Sequence, residues 1–283
     1  MRLWTGIKLF RGGGYNIIMC IINAEDELIA LNSLSFANKE AVCLTHYTNI
    51  SSFFKIIRTK QLKFNRIDNL NDLTEKQLLQ DKENYKRVFV SCFSRSCKEL
   101  IPMWKMYTDK QTGIRLRFYP NKDTKFRDLF ELDYVYTGNK MIALDGSNIT
   151  NATEKSIVAR FDGFDVEYGN KKDLTHLYIK SEDKDYNVPY YFSSRKSKAW
   201  QYEKEFRYRI LLGAYGRKIV ELKDYFSLFL NIKFDAFEKI EITFSPEINK
   251  LDWEDIIEDF KTKQSLKTKF VYHNSVLYEK IRL

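Results

Sequence analysis

Two carboxylates two residues apart, Glu203 and Glu205, stand in the run Trp200-Gln201-Tyr202-Glu203-Lys204-Glu205-Phe206-Arg207. At the start of a strand, side chains two positions apart share a face. Such a pair can divide a reaction. One carboxylate holds a sugar hydroxyl and stabilises positive charge that develops in a transition state, while the other orients a nucleophile. Lys204, Arg207 and Arg209 beside them are of the kind that holds phosphates. The same spacing also suits an exposed cross-strand ladder of Glu, Lys and Arg with no chemistry. A second candidate is His46, in Leu44-Thr45-His46-Tyr47-Thr48, where a strand runs into a helix. An imidazole there can donate to a ribose hydroxyl or carbonyl, or it can be satisfied by a backbone carbonyl. The third is Ser91-Cys92-Phe93-Ser94 at a strand end, whose hydroxyls can meet a ligand or cap the strand. Cys92 as a nucleophile is a weaker reading, because no histidine is fixed near it by sequence and buried cysteines are usually inert.

These side chains need elements to position them. Residues 41–47 are apolar and β-rich. Behind them Ile50, Phe53, Phe54 and Ile57 at i, i+3, i+4, i+7 spacing predict a helix capped by Thr48 or Asn49. Residues 62–65 suit a short strand, 68–72 a turn, and the polar stretch to Lys86 a helix. Residues 88–93 form a strand, and Met103, Trp104 and Tyr107 share a helix face with Trp104 expected in the core. Gly113 opens residues 114–119, whose alternation predicts a half-exposed strand with Arg115 and Arg117 outward. Further strands are expected at 131–136, 206–212 and 240–244, an amphipathic helix around Trp253, Ile256, Ile257 and Phe260, and closing strands at 270–273 and 276–281. Residues 138–190 mix polar and helical signals without punctuation. No βαβα rhythm or repeat emerges, which points to an α+β fold with flanking helices.

The chain has 283 residues, 44% hydrophobic and 15% aromatic, with 11 glycines and 4 prolines, a composition that folds. Its formal charge of +9 favours polyanionic partners, although Lys and Glu are interleaved along most of the chain as on a solvated surface. Between Arg195 and Lys218 bases dominate, with Glu203 and Glu205 the acids among them. Cys20, Cys43, Cys92 and Cys97 have no tandem spacing and the three histidines are scattered, so no metal is expected and a reducing cytoplasm suits the thiols. The apolar run at 17–22 is too short and wrongly flanked for a signal peptide, and no run reaches the ~18 residues of a membrane span. Met19 can be the natural start, leaving residues 1–18 as a poorly ordered extension. We therefore assign residues 1–40 to an N-terminal extension and 41–283 to one domain. Glycine-rich dinucleotide and phosphate-loop motifs and a Gly-x-Ser-x-Gly elbow are absent from the sequence.

Taken in order, His46-Tyr47-Thr48, Asn71-Asp72-Leu73-Thr74-Glu75, Ser91-Cys92-Phe93-Ser94, Met103-Trp104-Lys105-Met106-Tyr107, Gly113 and residues 200–207 resemble the motif series of an uncharacterised bacterial family similar to proteins of phage-defence loci. Leu73 stands where that family has proline. In motif order the series is similar to ADP-ribosyltransferases. The resemblance implies a largely antiparallel split-sheet core and NAD as co-substrate, with no metal and no membrane. It implies that His46, with Tyr47 and Thr48, contacts the adenosine-side ribose and that Ser91 and Ser94 support the nicotinamide end. Glu205 would hold the nicotinamide ribose, Arg207 a phosphate, and Glu203 the acceptor. The activity implied is ADP-ribosyl transfer or NAD hydrolysis by a phage-defence toxin acting on nucleic acid or protein, with room for an inhibitory or activating protein partner. The other reading is a non-catalytic module for nucleic acid or a nucleotide, with Arg115, Arg117, Arg207 and Arg209 on phosphates. The enzyme reading requires His46 and Glu205 to line one cleft, and expects Glu205→Gln to abolish activity while barely changing stability.

Overall fold

The computed structural model describes residues 7–12, 15–20, 41–72, 75, 84–109, 112–132, 134–137, 140–145, 157–169, 193–212, 226–248, 251–278 and 280. The fold is mixed α+β around a largely antiparallel sheet. Within the expected N-terminal extension, β1 (Ile7–Gly12) and β2 (Tyr15–Cys20) pair as an antiparallel hairpin in a sheet of their own. Part of that extension is therefore ordered into strands, and residues 21–40 lie outside the described set.

A strand–helix–strand unit follows: β3 (Leu44–Asn49), α1 (Ile50–Thr59) and β4 (Gln61–Arg66). The helix starts where it does because the Asn49 side chain accepts from Ser52 N at 2.8 Å. It stops at Lys60, which takes the left-handed conformation at φ 54. Its stripe of Ile50, Phe53 and Ile57 is buried. Next come β5 (Val88–Ser94), α2 (Ile101–Tyr107) and β6 (Gly113–Pro120). The chain continues through β7 (Tyr134–Thr137), β8 (Lys140–Asp145), β9 (Ile157–Asp165), β10 (Glu167–Gly169), β11 (Arg195–Ser197), β12 (Glu205–Leu212) and β13 (Ser227–Asn231). It closes with β14 (Phe237–Phe244), α3 (Leu251–Lys263) and β15 (Lys269–Asn274).

Strand β5 is where the sheet branches. Along one edge it pairs with β12 from Val88 to Ser94. Along the other it pairs with β4 at Phe89 and Val90 and with β3 at Ser94, so Ser91, Cys92 and Phe93 lie at a fork. One arm runs β4–β13–β7–β8–β9–β12 and returns to β5, closing a ring of strands. The other runs β3–β6–β14–β15. The ring is filled by Phe64, Phe93, Phe126, Phe130, Phe161, Phe206 and Tyr208, whose edge-to-face contacts centre on Tyr208.

Several expectations are corrected. Strand β6 is not half-exposed: it lies between β3 and β14, and Arg115 is 4% exposed with its guanidinium donating to Cys97 O at 2.8 Å. Residues 276–278 turn rather than form a strand, because Tyr278 N closes back on Ser275 O at 3.0 Å. Strands β8, β9 and β10 fall inside the stretch 138–190, and β13 was not anticipated. The helix expected towards Lys86 lies mostly outside the described residues, which show a 3-10 turn at Asn84–Arg87.

Trp104 is fully buried, packs edge-on against Tyr47 and donates from Nε1 to Glu99 at 3.2 Å. Trp104→Ala should cost about 3–5 kcal/mol in chemical denaturation. Tyr208 is the opposite case, since its buried hydroxyl has no partner among the described residues. Tyr208→Phe should leave stability unchanged or raise it by about 1 kcal/mol, and a clear loss would mean the hydroxyl is satisfied in solution.

Candidate functional site

At the fork a cleft of about 690 Å³ runs between α1 and β3 on one side and the outer faces of β4, β5 and β12 on the other. His46, Glu203 and Glu205 all line it, together with Tyr47, Thr48, Ser91, Ser94, Tyr107, Lys196 and Arg207. Residues 159 positions apart in the chain are brought together because β3 and β12 flank the same strand, β5.

The two carboxylates are not placed by strand alternation. Glu203 ends a 3-10 turn (Lys198–Glu203), Glu205 opens β12, and Lys204 between them is left-handed at φ 45. The kink brings both side chains to Lys196 Nζ, at 2.6 Å from Glu203 and 3.3 Å from Glu205. The turn is held by Ser94, whose hydroxyl donates to Glu203 O at 2.6 Å, and by Arg95 N, which donates to Lys204 O at 2.8 Å. Nor is the pair an exposed ladder. Glu203 is 2% and Glu205 5% exposed.

Around them a buried network closes. Tyr107 OH donates to Glu203 at 2.5 Å. Arg207 donates to both oxygens of Glu205, at 2.8 and 3.0 Å, and to both oxygens of Glu75, at 2.6 and 2.8 Å, and also to Ser193 O at 2.7 Å. Those five bonds use all five donors of a guanidinium. Trp200 lies under Lys196, with Nζ 4.6 Å from the ring centre. Tyr168 OH accepts from Glu205 N at 2.7 Å. Glu75, Tyr107 and Trp200 were part of the motif series but carried no assigned role. Only Trp200 lies near the carboxylates in sequence; Glu75 and Tyr107 come from segments 132 and 96 positions from the residues they bind.

The electrostatics separate the two acids. Burial alone would raise Glu205, but Arg207 and Lys196 outweigh it and hold the carboxyl down at about 2. Burial raises the Glu203 pKa from its ordinary value, and Lys196 and Tyr107 only partly offset it. Lys196 loses to burial and gains more from Glu205 and Glu203, so its ammonium is held charged. Cys92 is pushed well up by burial and by Glu205, which makes it a protonated thiol rather than a nucleophile. Two carboxyls with pKa values driven apart are the arrangement that lets one stay ionised while the other carries a proton.

His46 sits in the fork, half-buried against Phe93 at 5.3 Å between ring centres, with Nδ1 3.0 Å from Cys92 O. Burial lowers its pKa, so the imidazole is neutral. A carbonyl can only accept, so the proton is on Nδ1 and Nε2 is an acceptor. This reverses the expected role: His46 can accept from a ribose hydroxyl but cannot donate to one.

Other assignments are also corrected. Ser91 and Ser94 are three apart and so on opposite faces of β5, and Ser94 is consumed by Glu203 O and by Ser96 N at 3.0 Å. Tyr47 accepts from Leu100 N at 3.4 Å and packs on Trp104, a structural role. Thr48 is buried in the cleft wall. Arg207 has no donor left for a phosphate. Arg209 is buried against Asp162 at 2.6 and 2.9 Å, and Arg117 pairs with Glu241 at 3.3 Å. With Arg115 also turned inward, the four arginines proposed as phosphate contacts are occupied by the protein itself. Among the described residues no group of three or more His, Cys, Asp or Glu side chains is placed to hold a metal, and no helix is long and apolar enough to cross a membrane.

Residues 103–208 match a family model described as a protein of unknown function (DUF2971). The matched stretch begins in α2 and ends in β12, so it includes Tyr107, Lys196, Glu203, Glu205 and Arg207 and leaves His46 and Glu75 outside. Comparisons with curated proteins and with solved structures give no match.

The burial of Glu205 overturns the expectation that Glu205→Gln leaves stability unchanged. Removing its charge takes one of two carboxylate partners from Arg207 and one of two from Lys196 inside the fold, and the loss should be about 3–5 kcal/mol. The pH dependence has a definite sign. Folded Glu205 titrates at about 2 against an ordinary value of 4.5, so the folded state holds fewer protons in that window. Its stabilisation is complete above 4.5 and is lost as pH falls towards 2. Thermal melts across this range should show a shallower acid slope for Glu205→Gln than for wild type; equal slopes would remove Glu205 from the network.

Proposed function

We propose that the cleft binds NAD and cleaves its nicotinamide–ribose bond, as an ADP-ribosyltransferase or an NAD glycohydrolase. The observation that carries this reading is the meeting of an ionised Glu205, a Glu203 whose burial raises its pKa and an acceptor nitrogen of His46 in one cleft. Breaking the bond sends its electron pair to nicotinamide and leaves positive charge on the ribose. The network favours that charge, since Glu75, Glu203 and Glu205 outnumber Lys196 and Arg207 by one when all are ionised. Glu203, ionised and held by Tyr107, orients the acceptor hydroxyl and takes its proton, whereas an attacking water can lose its proton to solvent. His46 Nε2 accepts from a ribose hydroxyl. The motif series further suggests a setting in phage defence, with the protein a toxin acting on nucleic acid or protein. A nucleic-acid acceptor draws no support from Arg115, Arg117, Arg207 or Arg209, and the reading as a non-catalytic nucleic-acid module loses its phosphate contacts with them.

Incubation of the protein with NAD labelled in the adenylate half, with and without cell lysate, tests the proposal. Nicotinamide should be released, and Glu203→Gln should impair acceptor labelling more than hydrolysis. No release under either condition would sink the reading.

A further inference from the structure

The two ends of the cleft differ in charge. At the β12 end the lining acids are Glu203 and Glu205, and the cations beside them, Lys196 and Arg207, are bound to carboxylates. At the other end the lining is basic: Lys55 and Arg58 on α1 and Lys63 on β4, all exposed. Among the described residues none of these three is in an ion pair. The helix presents them by its period. Ser52, Lys55, Ile56 and Thr59 form a stripe along the cleft, while Ile50, Phe53 and Ile57 face the core. On β4, Gln61, Lys63 and Asn65 alternate with buried Leu62 and Phe64, so Lys63 points to the same space.

We infer that this α1–β4 end is a phosphate subsite, in which Lys55, Arg58 and Lys63 take the pyrophosphate of a nucleotide whose ribose lies towards Glu205. The inference rests on the NAD-cleaving reading for the identity of the nucleotide, but the charge pattern of the cleft is independent of it. Three uncommitted cations in a concave wall attract a dianion, and the arginines that cannot serve it, Arg207 and Arg209, are spent inside the fold. Where both pair with β5, at Val90, strands β4 and β12 lie two strand spacings, about 10 Å, apart, and Lys63, Arg207 and Glu205 fall on the same face by alternation from that register.

Titration calorimetry with ADP, pyrophosphate and adenosine, on wild type and on a Lys55→Ala/Arg58→Ala/Lys63→Ala variant, tests it. ADP and pyrophosphate should bind wild type, more weakly as salt rises, adenosine should bind poorly, and the variant should lose about tenfold or more in ADP affinity. The three side chains are exposed, so the variant's melting temperature should stay near wild type and confirm its fold. Undetectable ADP binding to wild type, or equal ADP affinity in the variant, overturns the subsite. If ADP binding depends on the three cations but NAD is never cleaved, the subsite stands and the NAD-cleaving reading fails. If NAD is cleaved with an unchanged KM in the variant, the subsite fails and the reading survives.

Discussion

The site depends on Arg207, a guanidinium with no exposure and all five donors in use. A buried cation of that kind is tolerable only when anions and carbonyls surround it, and breaking one of its pairs leaves an uncompensated charge. Its partners are Glu205 two residues before it, Ser193 fourteen before it and Glu75, 132 positions away. Burial works against its charge, but Glu205 and Glu75 raise its pKa well beyond the ordinary range, so the charge is permanent. Glu205 is ionised because Arg207 is fixed beside it. Lys196 is shared between the two acids, 2.6 Å from Glu203 and 3.3 Å from Glu205, and burial raises the Glu203 pKa although Lys196 and Tyr107 pull it down. The division of labour between two neighbouring carboxylates therefore starts from one arginine two residues further along β12.

The second constraint is the fork in the sheet. Strand β5 changes partner from β4 to β3 partway along one edge, and α1 is the connection between those two partners. A continuous sheet would have paired Cys92 and closed the space. Here the Cys92 carbonyl is left to His46, while the Cys92 thiol lies beneath Glu205. One residue thus couples both sides of the cleft, through its backbone to the imidazole and through its side chain to the carboxylate. The aromatic filling of the ring behind β5 makes this edge rigid, since Phe93 and Phe206 are locked against Tyr208.

Most of the elements around the site were legible in the sequence because they obey simple periods. Helix α1 follows its apolar stripe and its Asn49 cap, and β5 and β12 follow their runs of apolar residues. The convergence of His46 with Glu203 and Glu205 followed from the order of motifs. What the sequence did not reveal was burial. Alternating arginines on β6 and β12 look like a solvated face, yet Arg115, Arg207 and Arg209 point into packed interfaces where carboxylates and carbonyls from distant segments meet them. Pattern alone cannot distinguish a solvated charge from one paired by a residue 132 positions away, as Arg207 is by Glu75. The left-handed Lys204 was equally hidden, because glycine is the usual sign of such a kink. The tautomer of His46 followed only once the carbonyl beside it was placed.

The most direct measurement is a crystal structure of the protein soaked with a non-hydrolysable carbocyclic NAD analogue. The account predicts the analogue in the fork, its nicotinamide-side ring hydroxyls within hydrogen-bond distance of Glu205 and a ribose hydroxyl donating to His46 Nε2. An analogue bound elsewhere, or a cleft whose Glu205 and His46 contact nothing while the ligand is ordered, would contradict it.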